Sequence, residues 1–311
     1  MLGSLLLPLL AAAPLLPRAP DELAVVTTIP DLEDIVREIG GDRVEVHSLA
    51  RGTENIHAVV VRPSDLVKMS RADLFVQIGL SLEHAYVPGL LQRCRNPRIQ
   101  PDQPGFVNAS DGWQALDVPA TLSRGLSADL HPAGNPHMNL DPSAGGFLAQ
   151  RILEGLGRVD PDSREYYEKR HAAYVQELAR AGERWAALAE RSRGGRVVTY
   201  HSDFTYFVRS RGIEVVATLE PKPGVPPTPR DLARVIETMK SEGVDVILTA
   251  KWSNDKSVRF VAEKTGARVL ELPVMVGGSP EATSWIAMMD FLHERLADSI
   301  ADSSADSVKG G

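Results

Sequence analysis

Cysteine is almost absent from this sequence, which contains Cys94 and no other. A disulfide bond within the chain is therefore impossible, and a zinc site built from cysteine thiolates is excluded as well. Any site for a transition-metal ion must use histidine nitrogens and carboxylate oxygens. The eight histidines of the chain are therefore the first residues to examine as candidate ligands.

The sequence also lacks an excess of basic residues. Its 34 lysines and arginines are outnumbered by 41 acidic residues, which gives a net charge of −7. Nucleic-acid-binding proteins usually carry a concentrated basic patch, so this balance argues against that class and predicts no nucleic-acid partner. A mildly acidic surface suits a soluble protein that attracts cations.

The apolar run at the start of the chain, residues 1–20, is too short for a membrane-spanning helix. Pro8 and Pro14 interrupt it, whereas a spanning helix needs about 20 consecutive apolar residues. The run is typical of the apolar core of a secretory signal peptide, although no basic residue precedes it. We therefore expect a periplasmic, soluble protein from which residues 1–20 are removed. No cysteine lies just after the run, so we expect no lipid at the mature N-terminus.

Short apolar runs alternate with helical periodicity along the remaining chain, which predicts an α/β protein. The pattern begins β-α-β and starts again after a long helical segment, so we expect two βα lobes with parallel-type sheets. The predicted strands are 23–28, 44–49 and 72–79 in the first lobe, and 196–200, 213–219, 244–250 and 267–272 in the second.

The longest helical pattern runs from Asp160 to Arg193 and ends at two glycines. About thirty helical residues span roughly 45 Å, which exceeds the width of a small lobe. We therefore expect one long rigid helix to join the lobes, with a metal site in the cleft between them. The predicted parts are a first lobe at 21–159, a connecting helix at 160–194, a second lobe at 195–300 and an unstructured tail at 301–311.

Three histidines lie in settings that favour a binding site. His137 lies in a loop, residues 129–142, which reads DLHPAGNPHMNLDP and is stiffened by three prolines. His57 follows the second predicted strand, and His201 ends the strand that begins the second lobe. Ligands of α/β proteins gather at the carboxyl ends of strands, so these three side chains can face one cleft. With one carboxylate they could complete a tetrahedral metal site, although their spacing alone is weak evidence for one.

Three segments of the sequence carry a resemblance to a known family. They read HAVVVRPSDLVKMSRADLFVQIGLSLE, GNPHMNLDP and VVTYHSDFTYF. Together they resemble the zinc- or manganese-binding substrate-binding proteins of ABC importers, known as cluster A-I, and the similarity extends over about residues 23–296. The resemblance implies two α/β lobes, a spanning helix, a metal ion as cargo and an ABC permease as partner. It also implies a monomer without enzymatic activity.

Carried over by position, the resemblance assigns His57, His137 and His201 as the first three metal ligands. In manganese-binding members the third position is often a carboxylate. A histidine there favours Zn²⁺ over Mn²⁺, because nitrogen ligands suit zinc and oxygen ligands suit manganese.

The fourth ligand is where the sequence departs from the family. Members often supply an aspartate from the loop after the last strand, where this chain has Pro273 and Val274. Another acid often found after the preceding strand is replaced by Lys251. We predict that Glu220 supplies the missing carboxylate; Asp255, Glu54 or a water molecule are the alternatives.

The other histidines are interpreted more simply. Many zinc-binding members carry a long histidine-rich loop before the second ligand, whereas this chain has only His131 there. We interpret His131 as a solvated loop residue, with a weak collecting ligand as the alternative. His84, His171 and His293 lie on helical patterns and are interpreted as surface or packing residues.

The sequence thus predicts a periplasmic binding protein that captures zinc and delivers it to a membrane permease. One alternative is a zinc hydrolase, in which three histidines leave an open position that activates water. No HExxH-type motif supports it. The other alternative is a binding protein for an organic ligand or a metal chelate in the same cleft.

Overall fold

A computed structural model describes residues 22–119, 131–222, 224–253 and 255–309. The predicted signal peptide, residues 1–20, lies outside the described residues. Within them the chain forms two sheets flanked by helices. The elements of the first half are β1 Leu23–Thr27, α1 Pro30–Gly40, β2 Val44–Ser48, α2 Pro63–Arg71, β3 Leu74–Gln77, α3 Val87–Cys94, β4 Phe106–Asn108 and α4 Ala144–Val159.

A long helix, α5, follows and leads into the second half. The remaining elements are α5 Arg164–Ser192, β5 Arg196–Thr199, α6 Thr205–Ser210, β6 Glu214–Thr218, α7 Pro229–Glu242, β7 Val246–Ala250, α8 Asp255–Thr265, β8 Arg268–Leu272 and α9 Trp285–Lys309. The predicted boundaries of the lobes are not tested by these elements and stay predictions.

The two sheets share one topology. Their strand orders are β2-β1-β3-β4 and β6-β5-β7-β8, and every pairing is parallel. Parallel strands connected by helices are buried on both faces, which explains why strands such as β7 read as continuous apolar runs. Because all strands of a sheet run the same way, the loops after β2 and β5 leave their sheets at the carboxyl edges, where ligands of such folds bind.

One strand was missed by the sequence prediction. No strand was predicted between residues 79 and 196, but Phe106–Asn108 forms β4 and pairs with β3, with Phe106 opposite Phe75. A three-residue strand is too short to show a period, so local pattern could not reveal it.

The long helix contacts both halves of the molecule, as predicted. Its first turn, Pro161–Ser163, is a 3₁₀ turn in which the Asp160 side chain accepts a hydrogen bond from the Ser163 N–H at 3.3 Å. Beyond it, α5 packs against α1 and α4 on one side and α9 on the other. Arg184 donates two hydrogen bonds to Asp290 on α9, at 3.0 and 2.8 Å.

The predicted unstructured tail is wrong over most of its length. Helix α9 does not end at Ile300 but continues to Lys309. Neither glycine nor proline occurs between Pro280 and Gly310, so nothing in the sequence stops the helix once it has begun.

A buried hydrogen-bond network joins the two halves near the predicted cleft. The Asp31 carboxylate, at the start of α1, accepts hydrogen bonds from the Asn139 amide at 3.0 Å and from the Val276 N–H at 3.1 Å. Asn139 also donates to the Val274 carbonyl at 2.9 Å. Val274 and Val276 belong to the loop after β8, so Asp31 fastens the last loop of the second half to the first helix of the first.

Titration of Asp31 predicts how stability depends on pH. Burial raises the pKa of this carboxyl from 3.8 to about 7, so the folded protein holds a proton there that the unfolded chain releases above pH 4. The free energy of unfolding should therefore fall as pH rises towards 7, with a loss of about 2 kcal/mol between pH 5 and pH 7 from this group. Urea unfolding of the metal-free protein at several pH values measures this change in the free energy of unfolding.

The matched variant for this prediction is Asp31→Asn, which cannot titrate. Asp34 and Glu83, whose pKa values burial also raises, remain in both proteins and cancel in the comparison. The variant should show a shallower decline of stability from pH 5 to pH 7. Equal slopes for the two proteins would contradict the assignment.

Candidate metal site

Four buried side chains meet between the two halves of the molecule. His57 lies in the loop after β2, His137 directly precedes the 3₁₀ turn Met138–Leu140, and His201 follows β5. Asp203 lies two residues further, in a short 3₁₀ turn. Each side chain offers one ligand atom, and these atoms all lie within 4.8 Å of one another. None of the four residues is more than 3% exposed.

The distances in this group match a single coordination sphere. His57 Nε2 lies 3.0 Å from His137 Nε2, which lies 3.2 Å from Asp203 Oδ1. Donors about 2.0–2.1 Å from one tetrahedral ion are about 3.3 Å apart, and the centres of two such imidazole rings are about 5.2 Å apart. The three histidine rings have centre-to-centre distances of 5.0, 5.3 and 5.4 Å. The side chains are thus arranged as an ion would need them.

Neighbouring acceptors orient two of the histidines. The Asn135 side-chain oxygen accepts hydrogen bonds from the backbone N–H of His137 at 3.0 Å and from its Nδ1 at 2.8 Å. Glu220 Oε2 lies 2.5 Å from His201 Nδ1 and accepts a hydrogen bond from its N–H. Each contact holds the proton on Nδ1 and leaves Nε2 with the lone pair for a metal ion. Such partners are typical of histidines that bind metals.

The loop that carries His137 is attached to the turn that carries Asp203. The Asn135 amide donates to the Ser202 carbonyl at 3.1 Å, and the Tyr206 hydroxyl donates to the Asn135 carbonyl at 2.8 Å. Tyr206 belongs to α6, the helix that starts directly after this turn. The position of His137 relative to Asp203 is therefore set by contacts outside the ligand group itself.

The electrostatics of the group favour binding of a cation. Burial, with the neighbouring histidines, lowers the pKa of both His57 and His137 well below the ordinary value, so their rings are neutral at pH 7. Burial raises the pKa of Asp203 to about 6, an effect that His201 opposes and Glu220 strengthens. Near neutral pH His57 and His137 therefore present neutral nitrogens beside the Asp203 carboxylate, donors suited to a divalent transition-metal ion.

The structure brings together the three histidines predicted as ligands but changes the carboxylate. Glu220 lies outside the group of ligand atoms, because its carboxylate contacts the opposite nitrogen of His201. Glu220, which was predicted as the fourth ligand, is thus placed as a hydrogen-bond partner of His201. Glu54, one alternative, pairs with Arg62 at 3.2 Å instead. Asp255, the other, begins α8, and its side chain lies outside the described part of the chain.

Asp203 is the candidate ligand that sequence reasoning missed. It was not among the residues that the sequence analysis considered as metal ligands. The signal that could have identified it is its place, two residues beyond a histidine at the carboxyl end of a buried strand. His131 was also misjudged, since it is 9% exposed and its ring centre lies 5.2 Å from that of His57.

Comparison with known proteins finds relatives over most of the chain. A sequence model of the family described as "Zinc-uptake complex component A periplasmic" (ZnuA) matches residues 25–299. The manganese ABC transporter substrate-binding lipoprotein PsaA of Streptococcus pneumoniae is 24% identical over 286 residues, which are 90% of this chain and 89% of that protein. The high-affinity zinc uptake system protein ZnuA of Bacillus subtilis is 25% identical over 287 residues, 91% of this chain and 88% of that protein.

Solved structures share the architecture described above. A crystal structure of a ZnuA deletion mutant with zinc bound matches with a TM-score of 0.76 at 23% sequence identity, and the match covers 90% of this chain and 99% of that one. At this identity the likeness concerns the fold. It confirms the predicted class of two α/β lobes joined by a long helix.

The names of two relatives concern attachment to the membrane by a lipid. The names of the pneumococcal relative and of FimA from Streptococcus parasanguinis describe lipoproteins. The expectation of a protein without an attached lipid therefore runs against the relatives and is not retained. Over the described residues, no helix combines the length and apolar character that a membrane crossing requires.

Proposed function

This chain belongs to the family of metal-binding substrate-binding proteins of ABC importers that the zinc-uptake component A model describes, and from that premise we propose that its cargo is zinc. The observation that carries the proposal is the buried group of three histidine nitrogens and one carboxylate oxygen. Nitrogen-rich tetrahedral sites suit Zn²⁺, whereas Mn²⁺ prefers sites dominated by oxygen.

In the proposed function each residue of the site has a distinct role. Nε2 atoms of His57, His137 and His201 bind the ion, and Asp203 supplies the fourth donor and one negative charge. Glu220 acts through His201, because a carboxylate on Nδ1 fixes the ring and makes Nε2 a better donor. The protein captures the ion outside the cytoplasm, as a monomer, and delivers it to the permease of its importer.

The contacts between the two halves support delivery without wide lobe closure. Helices α5 and α9 pack along each other, and Asp31 ties the loop after β8 to α1. A side chain added at Gly52 would approach the Val276 carbonyl to 2.2 Å, which shows how closely the halves meet. Loading is therefore signalled through small shifts of the ligand-bearing loops.

Two observations weaken the rival functions. A zinc hydrolase needs an open coordination position for water, whereas Asp203 offers a fourth ligand atom within 4.8 Å of those of the three histidines. A binding protein for an organic ligand needs space between the groups that contact it, whereas the imidazole nitrogens of His57 and His137 are only 3.0 Å apart. The geometry suits a bare ion.

The experiment that tests the proposed function is a zinc titration of metal-free protein, wild type beside His137→Ala. We expect about one tightly bound zinc ion per wild-type chain, with Mn²⁺ bound more weakly. The variant should bind zinc far more weakly, because it loses a ligand at the centre of the group. Zinc binding that does not change in His137→Ala, or hydrolytic turnover by the zinc-loaded protein, would contradict the proposal.

A second prediction distinguishes the role of the Glu220 carboxylate from that of the Asp203 carboxylate. Glu220→Gln should weaken zinc binding by about 10–100-fold, the usual effect of changing a partner of a metal ligand. Asp203→Asn should weaken it more, because it removes a direct ligand and the only negative charge of the group. Calorimetry or competition with a chelating dye measures both affinities.

The matched control for this pair is Glu54→Gln, since Glu54 pairs with Arg62 and lies outside the ligand group. Its zinc affinity should equal that of the wild type. If Glu220→Gln proved more damaging than Asp203→Asn, Glu220 would be the ligand and the assignment of Asp203 would fail.

A further inference from the structure

Trp252 packs on two of the candidate ligands, one from each half of the molecule. Its ring centre lies 5.5 Å from that of His201 and 6.4 Å from that of His57. Both contacts are edge-to-face, with angles of 69° and 76° between the ring planes. The indole nitrogen is a hydrogen-bond donor only and has no lone pair for a metal ion. Trp252 therefore touches the site without being able to act as a ligand in it.

The position of Trp252 follows from the topology of the second sheet. It lies two residues beyond β7, in a turn where the Ser253 N–H donates to the Ala250 carbonyl at 3.0 Å. Strand β7 pairs in parallel with β5, and His201 lies two residues beyond β5. Loops that follow neighbouring parallel strands leave the sheet at the same edge, so Trp252 and His201 lie side by side.

The indole separates these ligand rings from solvent on one side. His57 and His201 are 3% and 2% exposed, whereas Trp252 is only partly buried. A partly exposed side chain that contacts two fully buried rings lies between those rings and water. The buried Tyr200, whose ring centre lies 6.3 Å from that of Trp252, also packs against the indole.

Trp252 contributes its shape to this region and not a hydrogen bond. Its Nε1 is buried and has no hydrogen-bond partner within the parts of the chain that the structure describes. A buried indole N–H usually finds a partner, so a polar contact does not explain why tryptophan occupies this position. What the side chain supplies is a rigid apolar surface beside the donor atoms of the site.

An apolar surface beside the donor atoms limits how many ligands an ion can have. Three histidine nitrogens and one carboxylate oxygen already complete a tetrahedral set for Zn²⁺. Mn²⁺ favours six ligands, chiefly oxygens, so it would need water molecules in addition to these donors. A side chain that keeps water away from the donors therefore disfavours Mn²⁺ more than Zn²⁺.

We propose that Trp252 determines the specificity of the site, because its indole keeps water out of the coordination sphere and so selects Zn²⁺ over Mn²⁺. The inference rests on the proposed function and deepens it, since it concerns how that site distinguishes its cargo. The indole acts through the space that it fills beside His57 and His201. Replacing it with alanine opens that space to water and leaves the donors in place.

Competition titrations of the metal-free full chain against a chelating dye, with zinc and with manganese, test this role. In Trp252→Ala the affinity for zinc should fall while that for manganese does not, so that their ratio decreases at least about tenfold. Trp252→Phe should keep most of the wild-type ratio, because a phenyl ring fills much of the same space. Phe260→Ala, which removes an exposed aromatic side chain from α8, is the matched control and should behave as the wild type.

Cobalt in place of zinc reports the coordination number itself. Tetrahedral Co²⁺ absorbs visible light far more strongly than six-coordinate Co²⁺. The absorption per bound ion should therefore fall in Trp252→Ala and stay at the wild-type level in Trp252→Phe and Phe260→Ala. If Trp252 only stabilised the fold, its removal would weaken the binding of zinc and manganese equally and leave the cobalt spectrum unchanged.

The wild type and its variants together distinguish failure of the inference from failure of the proposed function. An unchanged affinity ratio or an unchanged cobalt spectrum in Trp252→Ala, with a wild type that prefers zinc, would overturn the inference and leave the proposed function intact. Selectivity lost in Trp252→Phe, or lost equally in Phe260→Ala, would also overturn it. A wild type that binds no zinc, or that prefers manganese, would defeat the proposed function and the role of Trp252 together.

Discussion

Burial of four ligand groups at one point is the constraint on which this structure depends. Polar groups removed from water are costly unless they are partnered, and close contact between three imidazoles and a carboxylate is not stable by itself. The surrounding protein therefore has to hold them. Asn135 and Glu220 orient two of the rings, and Tyr206 fastens the loop that carries His137. The free energy that a bound ion releases is greatest when this arrangement exists before the ion arrives, since little reorganisation is then required.

Contacts between the two halves of the molecule also hold the ligand groups in position. His201 and Asp203 come from the second half, and His57 from the first, so any change in the relation between the halves would alter the distances among the ligands. The packing of α5 between α1, α4 and α9, and the buried Asp31 network, oppose such changes. The loop after β8, where the family resemblance led us to expect an acidic ligand, has Pro273 and Val274 there and supplies the Val276 N–H to Asp31. In the function that we propose, Asp203, from a different loop, supplies the carboxylate ligand.

Much of this account was predictable from sequence, and the misses have physical reasons. Short apolar runs and helical periodicity revealed most strands and helices, and the ends of strands located His57 and His201. The three-residue strand β4 is too short to show a period. The choice between Glu220 and Asp203 depends on which side of the His201 ring each carboxylate approaches. Differences of a few ångströms decide this, and the spacing of residues in the sequence does not predict them. The burial of His131 likewise follows from how three loops pack, and no local pattern in its proline-rich segment indicates it.

The central claim is that three histidines and Asp203 hold one zinc ion. X-ray absorption at the zinc edge, measured on protein loaded with one equivalent, tests it most directly, with Asp203→Asn beside the wild type. The account predicts a four-coordinate ion with three imidazole nitrogens and one carboxylate oxygen at about 2.0–2.2 Å, and loss of that oxygen in the variant. A six-coordinate, oxygen-rich ion, or fewer than three imidazoles, would contradict it. So would a spectrum that Asp203→Asn leaves unchanged.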